Sequence, residues 1–284
     1  MGGRLVLDMP HDDYLASPAV SRSGLMDLLR SPQHYWYNHL SGRAERADTT
    51  ALKLGTAFHC LLLEPHLFND KVVVWSGAPR NTKEGKAEYA EVSANAGSRV
   101  IIKQSEFDQL KLMAQSIKDQ PAAGKLINSA GKVEASFFYQ DQTHDVAAKA
   151  RPDFWREDGI VIDLKTTADA SEAEFSKSIA NYGYDVQAFM QMEAVERVTG
   201  NRPQAFVFIA VEKDPPYACA FYQADEDLLR CGEYRYHMLM EKYAACMKSG
   251  KWPGYGPLVR PIGPPEWFVS RLDKQAAEGA NANG

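Results

Sequence analysis

The sequence predicts an α/β protein built around a central mixed sheet, with a helical N-terminal portion. Three observations carry this. Apolar residues recur at three- and four-residue spacing through the first third. Hydrophobic alternation switches to period two between Lys132 and Thr166, and helix-length segments resume after Ser171. The order is α-rich, then strands, then helices alternating with strands, which suits one domain over 1–284 better than two independent ones. Its expected parts are a helical portion at about 20–130, a core at about 131–250 and an extended C-terminal tail.

Taken in order, Ser23 can cap a helix carrying Leu25, Leu28 and Leu29. Ser31-Pro32 opens a second helix, with proline at its first position. A third spans about Thr50 to Leu63, where Leu54, Phe58 and Leu61 share a face, and stops at Glu64-Pro65. Val72-Val73-Val74 and Val100-Ile101-Ile102 read as short strands flanking a polar helix at 83–95. A helix at about 104–120 follows. Three successive strands come next, at 132–139, 145–155 and 159–166. Helices at about 171–180 and 184–199, strands at 205–211 and 218–223, and a helix at 225–248 complete the core. The small, polar run from Ala276 to Gly284 is expected to fray.

Composition narrows the function. There are 32 Lys+Arg against 37 Asp+Glu, a net charge of −5, which argues against a generally basic nucleic-acid coat protein. No apolar run approaches the roughly 20 residues of a membrane helix, and the first residues do not read as a secretory signal. The four cysteines (Cys60, Cys219, Cys231, Cys246) are scattered, with no CxxC pair, so reduced thiols in a cytoplasmic protein are expected. Basic residues fall in spaced groups: Arg43 with Arg46, Lys83 with Lys86, Lys149 with Arg151.

The informative stretch is Arg151-Pro152-Asp153-Phe154-Trp155 followed by Ile160-Val161-Ile162-Asp163-Leu164-Lys165. Strand alternation turns Ile160, Ile162 and Leu164 into a core and Asp163 and Lys165 to the other face. In a continuous preceding strand, Lys149, Arg151 and Asp153 also share one face. A hairpin through Arg156-Glu157-Asp158-Gly159 would bring both carboxylates and Lys165 together. Such a group suits a hard divalent cation and a lysine that assists an attacking water. A solvated ion pair, with Asp153 closing a turn, fits the bare spacing too.

Pro152-Asp153, nine residues, then Asp163-Leu164-Lys165 resembles the signature of the PD-(D/E)XK nuclease superfamily. The flanking text is similar to its phage-type RecE (exonuclease VIII) branch: Ser21-Arg22-Ser23-Gly24-Leu25 through Ser31-Pro32, Gly55-Thr56-Ala57-Phe58-His59, Val133-Glu134-Ala135-Ser136, and Trp252-Pro253-Gly254-Tyr255. The resemblance covers about residues 20–268. It implies a restriction-endonuclease-like core and a Mg²⁺-dependent deoxyribonuclease, with Mn²⁺ as a possible substitute, digesting double-stranded DNA from an end. It implies Asp153, Asp163 and the Leu164 carbonyl as metal ligands, His59 as a metal or phosphate contact at the site, and Lys165 as the catalytic lysine; Glu134 either joins this acidic cluster as a further metal ligand or is a solvated strand residue. It also implies a ring-shaped homo-oligomer and a single-strand annealing protein as partner in phage-type recombination. Gln187 matches the family glutamine near the scissile phosphate, whereas Gln191 stands where tyrosine is usual. Ser31 precedes Pro32 where a cluster-binding cysteine would stand, so no iron–sulfur cluster is expected. Lys149, Arg151 and Lys165 are expected to line the DNA cleft, with the excess acid on outer surfaces. An endonuclease, a single-strand nuclease or a non-catalytic DNA-binding scaffold on the same fold would use the same frame.

Overall fold

The computed structural model describes residues 3–44, 49–78 and 81–281; Arg46 lies outside them. Strand β1 (Arg4–Val6) and α1 (His11–Ala16) precede the helical portion, α2 (Arg22–Arg30) and α3 (Pro32–Tyr35), continued by a π-helical turn at Trp36–Leu40. Then come α4 (Thr50–Leu63), α5 (Phe68–Lys71), β2 (Val72–Trp75), α6 (Lys83–Ala96), β3 (Val100–Lys103), α7 (Gln104–Lys118) and α8 (Pro121–Ile127). The strand-rich part holds β4 (Lys132–Val133), β5 (Ser136–Asp141), β6 (Val146–Ala150), β7 (Phe154–Arg156) and β8 (Ile160–Thr167). It is followed by α9 (Glu172–Tyr182), α10 (Tyr184–Thr199), β9 (Ala205–Glu212), β10 (Cys219–Gln223), α11 (Glu226–Ser249) and α12 (Glu266–Asn281). Contacts divide the chain into two units, Met1–Trp252 and Pro253–Gly284. The second carries α12, so the expected frayed tail is helical as far as Asn281.

The central mixed sheet has the order β10-β9-β8-β7-β4, with β8 and β9 parallel and its other neighbours antiparallel. A separate antiparallel sheet runs β1-β5-β6, and β2 pairs with β3 in parallel. Two strands expected to be continuous are therefore broken. Glu134 takes φ +48°, which ends β4 and sends β5 into the other sheet. Pro152, which has no N–H and a fixed φ, separates β6 from β7. Glu134 thus does not share a strand face with Lys132 and Ser136, nor Asp153 one with Lys149 and Arg151.

The central sheet is buried on both faces. Ile162, Leu164, Val207 and Ile209 pack with Phe58, Leu110, Met113 and Ile117 of α4 and α7. Val161, Phe206 and Phe208 pack with Val186, Phe189 and Met190 of α10 and with Tyr236 and Leu239 of α11. Each fully buried large side chain contributes about 1.5–3 kcal/mol. Ser21, not Ser23, caps α2, accepting from the Gly24 N–H at 3.4 Å. Gly183, at φ +68°, makes the turn from α9 into α10, and a Cβ there would meet Met26 Sδ at 2.2 Å. Gly232 lets α11 lie against α10, since its Cβ would stand 2.1 Å from the Asp185 carbonyl oxygen.

Candidate active site

The turn Arg156-Glu157-Asp158-Gly159 closes the β7–β8 hairpin as the sequence suggests, with Phe154 opposite Ile162 and Arg156 opposite Ile160. Continuing that register by one residue sets Asp153 across from Asp163. Asp153 Oδ2 accepts the Leu164 N–H at 2.7 Å, and its Oδ1 lies 3.4 Å from His59 Nδ1 of α4. Asp163 is fully buried; Gln187 Nε2 donates to its Oδ1, and the Lys165 ammonium pairs with its Oδ2. Four separate sequence regions, at 59, 153, 163–165 and 187, therefore converge.

Gln187 sits one turn into α10, aimed at β8 by the Gly183 turn. Its Oε1 accepts from Lys165 Nζ at 3.1 Å and from Arg22 Nη2 at 3.0 Å. Both neighbours are donors only and Asp163 is an acceptor, so the amide has one satisfying orientation. Lys165 Nζ also stands 4.5 Å from the centre of the Tyr184 ring. These contacts place the ammonium at the mouth of an open groove of about 550 Å³, lined by Arg22, Arg30, Lys165, Asn181, Tyr182 and Tyr184.

The two carboxyl groups have opposite environments. Burial works against ionising Asp153, but the His59 charge and hydrogen bond, Lys165 and the Leu164 N–H outweigh it, leaving the group below its ordinary value. Asp163 is raised above its ordinary value, chiefly by burial and further by Asp153, despite the pull of Lys165. His59 is raised because the Asp153 charge overcomes the burial that alone would lower it. Asp163 Oδ2, although it touches the Lys165 ammonium, accepts no properly directed hydrogen bond and is buried. A buried carboxylate oxygen held only by the Lys165 ammonium, beside a second carboxylate, offers hard oxygen donors, which fit a divalent cation such as Mg²⁺.

Glu134 stays adjacent through its backbone, its N–H donating to the Asp153 carbonyl at 3.1 Å. Its carboxylate faces Arg151 Nη1 at 3.7 Å. The expectation that Lys149 and Arg151 line the cleft is corrected. Lys149 is 3% exposed, and its ammonium donates to the carbonyls of Tyr14, Leu15 and Ser17 at 2.5, 3.2 and 2.8 Å. Arg151 donates to Ser136 Oγ and the Met9 carbonyl, both at 2.9 Å, and lies over the Tyr14 ring. Both cations hold the N-terminal segment onto β6 because the break at Pro152 turns them away from Asp153. Gln191 is buried, donating to the Arg151 carbonyl at 3.4 Å. Ser31 caps α3 and pairs with His34 Nδ1 at 2.6 Å. Of the groove residues, Arg22 has no local signal in the sequence, whereas Tyr184 lies on one helix face with Gln187 and Gln191. Arg22 lies 165 residues from its partner Gln187.

A hairpin delivering Asp153, Asp163 and Lys165 to one end of a helix-flanked mixed sheet defines a PD-(D/E)XK-type nuclease core. Residues 21–258 match the family described as a PDDEXK-like domain of unknown function, and the chain belongs to that family. A putative exonuclease from Eubacterium rectale shares the fold at TM-score 0.64 and 15% identity, over 91% of this chain and 97% of that one. Looser likenesses are to a phage-related exonuclease from Haemophilus somnus 129PT (TM-score 0.33, 13% identity, 62% of this chain and 92% of that one) and to an alkaline exonuclease from Laribacter hongkongensis (TM-score 0.31, 13% identity, 84% and 97%). No curated protein matches the sequence.

Replacing Gln187 with Ala removes the link between Asp163, Lys165 and Arg22 while leaving the carboxylates and lysine in place. Nucleotide release from DNA should fall roughly 10–100-fold in kcat, with a smaller change in KM, because small misplacements of a reacting group cost that much. Steady-state kinetics check this; activity within twofold of wild type would show that Lys165 is positioned without it.

Proposed function

We propose that the protein is a Mg²⁺-dependent deoxyribonuclease that hydrolyses phosphodiester bonds of linear double-stranded DNA from an end. The observation that carries this reading is the pairing of Asp153 and buried Asp163 with Lys165 beside a groove that also presents Arg22 and Arg30. Asp153, Asp163 and the Leu164 carbonyl would hold the ion, with His59 against Asp153 and Glu134 at the margin; Mn²⁺ suits the same donors. The ion, when bound, supplies positive charge to the phosphate and eases ionisation of the attacking water.

The chain's own residues supply the rest. Arg22 and Arg30 attract the phosphodiester backbone without reading sequence. Lys165 Nζ, held by Gln187 and the Tyr184 face, presents an N–H toward the groove to stabilise charge on the reacting phosphate or orient the water. Tyr182 and Tyr184 offer ring faces on which a base can stack. Net charge therefore does not oppose DNA binding, because what DNA meets here is a basic groove.

The same reading places the protein in the cytoplasm, as a ring-shaped homo-oligomer acting with a single-strand annealing protein in phage-type recombination, with 1–284 forming one nuclease domain. Among the described residues no helix is long and apolar enough to cross a membrane. End dependence is tested by offering linear and covalently closed duplex in Mg²⁺. Digestion of the linear form alone is expected. Nicking of the closed form would favour an endonuclease, preference for denatured DNA a single-strand nuclease, and digestion of neither a binding scaffold.

A further inference from the structure

A second cluster of metal-ligating side chains shares no residue with the site above. Asp141 ends β5, His144 lies in the turn to β6, and His237 comes from the middle of α11. One donor atom from each lies within 4.8 Å of the other two. We propose that Asp141, His144 and His237 bind a first-row transition-metal ion, Zn²⁺ by preference, which ties the β5–β6 hairpin to α11.

The donor set sets this site apart from the catalytic one. Two imidazoles and one carboxylate suit Zn²⁺, Co²⁺ or Ni²⁺, whereas Mg²⁺ demands oxygen ligands. Asp141 is already oriented: its Oδ2 accepts from the Tyr236 hydroxyl at 2.7 Å, and Tyr139 Oη lies 3.2 Å from Tyr236 Oη. Outer hydrogen bonds of this kind fix a ligating carboxylate. Its Oδ1 accepts the His144 N–H at 2.9 Å and faces His144 Nδ1 at 3.0 Å. The His144 and His237 rings stand 5.2 Å apart at 32°. Phe189 and Tyr236 pack around His237, whose ring nitrogens have no hydrogen-bond partner among the described residues. Burial would raise Asp141, but the Tyr236 and His144 hydrogen bonds more than offset it. A tetrahedral ion with bonds of about 2.0–2.1 Å spaces its ligands roughly 3.3 Å apart, so binding draws the donors together by at most roughly 1.5 Å. The half-buried imidazoles leave the fourth position to water.

The probe is the metal alone, Zn²⁺ or Co²⁺, added to EDTA-stripped chain carrying Asp163→Asn, which removes a ligand of the catalytic site. Tetrahedral Co²⁺ absorption is expected, with a Tm rise of roughly 5–10 °C at Zn²⁺ about 100-fold above its Kd. Adding His237→Gln should abolish both. Because that imidazole makes no hydrogen bond among the described residues, the variant should keep the circular dichroism of its parent; His237→Cys, which restores a ligand, should recover Co²⁺ binding. Equal uptake with and without His237, or no uptake in either chain, would overturn the proposal. Neither outcome bears on the nuclease reading, because DNA digestion is not the readout.

Discussion

Asp163→Asn is expected to abolish DNA hydrolysis, with a loss of about three orders of magnitude or more in kcat. The reason is geometric and electrostatic together. Asp163 is the fully buried partner of Lys165, and its Oδ2 is the carboxylate oxygen left without a directed hydrogen bond. Neutralising it removes an anionic donor from the proposed cation site and several kcal/mol of transition-state stabilisation with it. The fold should survive. Burial holds the Asp163 carboxyl above its ordinary value, meaning that the folded chain favours the neutral form, and ionisation at neutral pH costs stability without a divalent cation. Without added metal the variant should therefore melt no lower than wild type. Measured nucleotide release together with Tm in EDTA checks both halves. Retained activity, or a large fall in Tm, would contradict the assignment.

Lys149→Met is expected to do the reverse, lowering stability while leaving intrinsic DNA affinity alone. Its ammonium is shared among three backbone carbonyls of the N-terminal segment, and Val20 bridges to Ala148 on the same strand. Methionine keeps the stem but leaves those acceptors without their charged donor. At about 1–3 kcal/mol for each buried group left unsatisfied, a loss of about 3 kcal/mol is expected. For a unit of this size that is a fall of roughly 6–12 °C in Tm. Thermal melting and duplex binding at one salt concentration separate the two effects. A weakened affinity with unchanged Tm would restore Lys149 to the DNA surface.

The contrast between Lys165 and Lys149 shows what was legible in the sequence. Strand alternation and the hairpin turn correctly paired Asp163 with Lys165 and brought Asp153 across from them, because those relations are local and periodic. The same alternation misplaced Lys149 and Arg151, since period two holds only while the strand continues. Pro152 was visible, yet read as a part of a motif when it was also a strand break. Glu134 misled similarly: only its positive φ ends β4, and no glycine or asparagine marked the spot. Arg22 joins Gln187 through the packing of α2 against α10, a long-range consequence of the fold. His59 carries little signal outside a family motif: its helix face, with Leu52, Thr56 and Leu63, is not the most apolar one, which leaves room for a cleft role but does not single it out. At the C-terminus, composition suggested fraying where a helix forms through Asn281. Small residues such as Ala276 and Ala277 are themselves good helix formers.

The proposed role of Lys165, beside Asp153 and Asp163, is to assist metal-dependent phosphodiester hydrolysis. Its most direct test is a Mg²⁺ titration of linear duplex digestion by wild type and Lys165→Ala side by side, with EDTA as the blank. Activity should rise with Mg²⁺ in wild type and fall roughly 10²–10⁴-fold in the variant, the range of a positioned proton-transfer group. Equal Mg²⁺-dependent digestion by both chains would contradict it.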